Sequence, residues 1–204
     1  MPTRQLQIKF NDSILVSALF ILIVAFTVVY PLLSYLNLET EIHWLILQIF
    51  DLDDENNLPT WFSSFQLTIA AVLSLEYAQR STKSKHWYLL GSGFLLLGID
   101  EVAGLHESLN TAMESSWVLP AAIITAFVAL YFIPFLRSLP SRLRYPFLAA
   151  GAIFLSGALL TEFLSEDMDE ESFSYVLAVT LEEFLEMFGI WIFVRTLLGD
   201  RESG

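Results

Sequence analysis

The stretch SILVSALFILIVAFTVVYPLLSYL, residues 13–36, carries no charged side chain and exceeds the ~20 residues an α-helix needs to cross hydrocarbon. Neither the alternation of a half-buried strand nor the polar stripe of a surface helix interrupts it. The chain has 204 residues, 55% of them hydrophobic, and five further apolar runs follow at 61–78, 87–106, 117–136, 145–164 and 175–198. A soluble domain of this length is less apolar, and its runs are shorter. The sequence therefore predicts an all-α integral membrane protein: a single polytopic domain over 1–204, built as a six-transmembrane-helix bundle. Within 38–50, the apolar residues 42–50 are too few to span and are expected to lie as a short interfacial helix. The first run is too long for the apolar region of a secretory signal and no small-x-small cleavage site follows it, so it is expected to be retained.

Charge sets the expected orientation. All 10 Lys and Arg fall in alternate connections: Arg4 and Lys9 before the first run, Arg80, Lys83 and Lys85 between the second and third, Arg137, Arg142 and Arg144 between the fourth and fifth, Arg195 and Arg201 at the end. The positive-inside rule then puts both termini in the cytoplasm, in a bacterial-type inner or plasma membrane. Trp61, Trp87, Trp117, Tyr145 and Tyr175 each begin a run, where an amphipathic ring favours the headgroup layer. The opposite loops hold LETEIHW, DLDDENN and SEDMDEES and no basic residue, so much of the net charge of −13 faces outward. Such a face attracts cations within a Debye length of ~8 Å at physiological salt. Nucleic acid is excluded as a partner by the few scattered basic residues. The absence of cysteine excludes disulfides, thiol catalysis and thiolate metal sites.

Function is carried by the acids inside the runs. In LLLGIDEVAGLHESL, residues 95–109, Asp100, Glu101, His106 and Glu107 occupy a segment that begins as a membrane helix. An ionisable group at the centre of a membrane helix costs at least ~2.5–3.5 kcal/mol, and something must offset it. With the topology above, these four, Glu162 in the fifth run, and Glu182, Glu183 and Glu186 in the sixth all fall in the outer half of the bilayer. At ~100° per residue, Asp100 and Glu107 share one helix face, as do Glu182 and Glu186. Asp100, Glu107, Glu162, Glu182 and Glu186 are therefore expected to meet as ligands of a divalent metal ion of the Zn, Fe, Mn, Mg or Ca kind. Glu101, Glu183 and His106 flank them as acid–base candidates. No Lys or Arg lies among these acids, so a bound cation or shared protons must offset their burial.

Neighbouring patterns add little. The Glu-x-x-His pairing of di-iron bundles is absent, and His43 is a weak second imidazole. DLDDENN starts like a calcium loop but lacks the turn Gly and the closing Glu, and reads as a solvated loop. Hydrolase elbows, phosphate loops and dinucleotide fingerprints do not occur. The inner halves of the third, fifth and sixth runs, WYLLGSGFLLL, YPFLAAGAIFLSG and FGIWIFVRTLL, are nearly free of polar groups, so only Gln66, Ser74 and Glu76 offer an inner route. The expected function is a metal-dependent membrane enzyme, a hydrolase or oxidoreductase acting on a lipid-phase substrate. A divalent-cation or proton transporter, and a structural or sensory membrane module, are the alternatives.

Overall fold

The structure, a computed structural model, describes residues 11–105, 118–165 and 167–202. Among them every regular element is helical: α1 (Asp12–Asn37), α2 (Trp44–Phe50), α3 (Leu58–Arg80), α4 (Ser84–Ala103), α5 (Val118–Ser138), α6 (Ser141–Leu155), a π-helical turn (Ser156–Thr161), α7 (Glu162–Ser165) and α8 (Phe173–Glu202). Four helical segments are long and apolar enough to cross a membrane: α1, α3, α5 and the continuous Ser141–Ser165. The other two long helices, α4 with 20 residues and α8 with 30, are the ones that hold Asp100, Glu101, Glu182, Glu183 and Glu186. The short helix α2 falls inside the stretch read as interfacial. His106 and Glu107 lie outside the described residues.

Local chemistry sets the helix ends. Asn11 Oδ1 accepts from the amides of Ser13 and Ile14 and caps α1. Asn57 caps α3 by accepting from the Thr60 amide at 3.1 Å, and Pro59 follows in the first turn, where its missing N–H costs no helical bond. Gly104, at φ +55°, ends α4 by donating its N–H to Asp100 O at 2.9 Å. A Cβ at Gly104 would collide with the Glu55 carboxylate, so both the turn and the close approach require glycine there.

Successive long helices alternate in direction. Ser64 donates to Gly98 O at 2.7 Å, and Gly91 packs on Leu75 and Ala71, which fixes α3 and α4 as an antiparallel pair with extensive contact. Gly189 backs onto Ala150 and Phe154 of α6, so α8 runs against α6 with no room for a side chain between them. Trp191 of α8 donates to Val16 O at 2.8 Å, and Tyr35 meets Phe173, which docks α1 antiparallel to α8. Tyr77 of α3 reaches Leu197 O and Asp200 of α8, and these two helices run in the same direction. An aromatic core of Trp87, Phe135, Phe147 and Phe193 closes one end of the bundle.

At that same end the acids are paired. Glu76 bonds both Arg80, at 2.6 Å, and Arg201, and Asp200 bonds Arg142 at 2.7 Å. Glu76, expected from sequence to line an inner route, is instead held in ion pairs that join α3 to α8.

Candidate carboxylate site

At the opposite end a second set of acids gathers. Glu182, Glu183 and Glu186 of α8 are half-buried along one side of the helix. Glu186 faces the charges of Glu101, Glu182, Glu162 and Asp100, and Glu183 faces Glu101, Glu186, Glu182 and Asp53. The Glu182 carboxyl is hydrogen-bonded to Glu162, an arrangement two carboxyl groups reach by sharing a proton. Six carboxyl groups from α4, α7 and α8 thus share one level of the bundle.

The facing differs in one respect from the expectation of a central set flanked by Glu101 and Glu183. Glu101 is the leading charge neighbour of both Glu183 and Glu186, which puts Glu101 and Glu183 among the acids rather than beside them. Among the described residues, no three His, Asp or Glu side chains stand close enough to hold one metal ion. The donor set is therefore chemically suited to a hard cation but spaced more openly than a ligated ion requires.

Two local features shape the site. The π-helical turn at Ser156–Thr161, closed by Thr161 Oγ1 donating to Ser156 O at 3.0 Å, shifts the helical phase just before Glu162. Inside that turn, Gly157 lies against the Glu182 carbonyl and the Glu186 side chain, where a Cβ would clash. The imidazoles described are elsewhere. His43 caps α2 by accepting from the Leu45 amide, and His86 stacks on Phe135 at 4.9 Å at the other end of the bundle.

The loop before α3 is a lid whose shape its own bonds fix, while Asp53, Asp54 and Asn56 on it stay exposed, as expected of a solvated loop. Asn57 Nδ2 donates to Asp51 O at 2.6 Å and to Asp54 O at 2.7 Å, while Leu52 is buried beneath. Asn56 takes φ +59°, a left-handed conformation that asparagine tolerates. Asp53 accepts from the Tyr175 hydroxyl at 2.9 Å and reaches electrostatically down to Glu182 and Glu183. Asp53, Glu55 and Tyr175 were not legible as members of this region, because the turn that brings them over it is built by side-chain-to-backbone bonds of Asn57.

Asp53 is exposed as a whole residue, yet withdrawal of its carboxyl from water pushes it up to about 6, with Asp51, Glu170 and Asp54 adding to this and the Tyr175 bond opposing it. A carboxyl raised in the folded state contributes stability that is complete below its unfolded value of ~3.9 and is lost as pH rises through its folded value. The melting temperature of the wild-type protein is thus expected to fall more steeply between about pH 4 and 6 than that of Asp53→Asn. Equal slopes for the two proteins in that window would refute this.

Neither a curated protein nor a solved structure matches the chain. A family does match, over residues 15–199, and the chain belongs to it: Domain of unknown function (DUF8692).

Proposed function

We propose that the chain crosses the membrane six times, with both termini in the cytoplasm, and that its carboxylate cluster opens to the outer side and binds a divalent cation. The observation that carries the reading is the gathering of Asp100, Glu101, Glu162, Glu182, Glu183 and Glu186 at one level, from the stretches 86–136 and 145–194 that contain no Lys or Arg. Glu76 and Asp200, at the other end, each have an arginine. Acids that share a low-dielectric level need compensating positive charge, and a divalent ion supplies it most economically. The acidic loops over the cluster raise the local cation concentration.

The cluster serves metal-assisted hydrolysis or metal-centred redox chemistry on a lipid-phase substrate, with Asp100, Glu162, Glu182 and Glu186 as ligands and Glu101 or Glu183 as the base. Glu107 and His106 are the further ligand and proton carrier from the outer end of the same run. A bound divalent ion supplies Lewis acidity and an acidified water. Enzymatic use is favoured over transport by the other end of the bundle, where Glu76 is tied into ion pairs and the core is aromatic.

One observation favours a second reading. The Glu162–Glu182 bond is what protons, rather than a metal, would hold together, and a proton-sharing cluster then serves proton transfer or helix association. Elemental analysis of full-length protein purified in detergent separates the two. The first reading expects a stoichiometric divalent metal, removable by chelator and restoring the melting temperature when returned. Metal-free protein whose melting no divalent ion shifts would replace it with the second.

A further inference from the structure

Gln66 of α3 is completely buried, at 0% exposure, and among the described residues neither its Oε1 nor its Nε2 has a hydrogen-bond partner. An amide desolvated at both atoms with no compensating bond is costly, and such groups in native proteins call for a bound partner. Its position indicates which one. Gln66 and Tyr77 are about three turns apart on α3 and lie on nearly the same face. Tyr77 faces α8, bonding Leu197 and Asp200 at separations of 120 and 123 residues. The two helices run in the same direction, so this register sets Gln66 level with the Glu186–Gly189 turn of α8. Glu186 itself faces Glu101, Glu182, Glu162 and Asp100. The unpartnered amide therefore sits on the α8-facing side of α3 at the deep edge of the acid cluster.

We infer that Gln66 is the neutral ligand of an all-oxygen site, and that the site takes a hard divalent cation, Mg2+, Mn2+ or Ca2+, in preference to Zn2+. This rests on the cation reading above and narrows it. An amide carbonyl is a hard, uncharged donor of the kind that completes calcium and magnesium shells. The acids at its level are carboxylates, the chain contains no cysteine, His43 and His86 are engaged elsewhere, and His106 is assigned above to carrying a proton rather than to the shell. A neutral ligand also completes the shell without adding to an already excessive negative charge. The orphaned amide oxygen then gains its partner on binding, which explains why a glutamine is completely buried on α3.

The test uses full-length protein in detergent, stripped with chelator and melted against Mg2+, Mn2+, Ca2+ and Zn2+, for wild type and Gln66→Leu. Wild type is expected to be stabilised by at least one of the three hard ions at lower concentration than by Zn2+. Gln66→Leu is expected to weaken that ion's apparent affinity about tenfold or more. In chelator it is expected to melt at or above wild type, because an orphaned amide has been replaced by an apolar group of similar volume. Unchanged affinity in Gln66→Leu, or a preference for Zn2+, overturns the inference and leaves the cation reading standing. No response of wild type to any of the four ions overturns both. Should Gln66→Leu fail to fold, Gln66→Asn keeps the amide but withdraws it by one methylene. Its affinity is expected to fall by a similar factor, and an unchanged value overturns the inference equally.

Discussion

Asp100→Asn and Glu182→Gln are each expected to abolish the rise in melting temperature that a divalent ion produces, and each to raise the melting temperature of the metal-free protein. The opposite signs follow from one cause. In metal-free protein these carboxyls crowd together with Glu101, Glu162, Glu183 and Glu186. Replacing one by its amide keeps the volume and removes either repulsion or the cost of holding a proton. Glu182→Gln also keeps its bond to Glu162, because an amide N–H donates to a carboxylate without a shared proton. With metal present the lost ligand matters more. An ion at about a hundred times its Kd stabilises by ~2.7 kcal/mol, which is roughly 5–10 °C for a domain of this size. The double variant is expected to resemble either single one, since residues serving one ion are not additive. Retention of stoichiometric metal and of the full melting shift in both single variants would identify the acids as hydrogen-bonding links between helices.

The bundle was largely legible because hydrocarbon thickness leaves few choices. A helix rises 1.5 Å per residue, so an uninterrupted run such as 13–36 has one available form, and α1 extends only a residue beyond it at each end. The common level of Asp100, Glu162, Glu182 and Glu186 followed from depth along alternating helices. The detailed facing did not. Glu101, placed from sequence at the flank, is a leading charge neighbour of α8, and the π-helical turn before Glu162 shifts a phase that uniform 100° steps cannot anticipate. The lid over the cluster was missed for another reason. In DLDDENN the acids draw attention, but Asn57 organises the loop, and its bonds to two carbonyls leave no periodic signal. Gln66 was legible from sequence only as part of an inner route with Ser74 and Glu76. Its complete burial, and the absence of a described partner for its amide, required coordinates.

A cysteine introduced at Glu170 is expected to react with a membrane-impermeant maleimide in intact cells, and one at Thr82 only after the membrane is permeabilised. The chain has no cysteine of its own, so each variant carries a single reactive thiol. Both positions are exposed, Thr82 in the turn between α3 and α4 and Glu170 in the turn before α8, so accessibility within the protein does not bias the comparison. The contrast is close to all-or-none because it reports sidedness. Thr82 sits at the end of the bundle where Arg80, Arg142 and Arg201 form their ion pairs, and Glu170 sits beside Asp53 at the acidic end. Positive charge resists export across the membrane, so the arginine end is the one expected in the cytoplasm. Equal labelling in intact cells would mean that α3 and α8 do not carry their ends to opposite faces, and the six-span reading would fall. Reversed labelling would keep the spans and invert them. The carboxylate cluster would then draw its cation from the cytoplasm, and the acidic loops would no longer serve to concentrate it from outside.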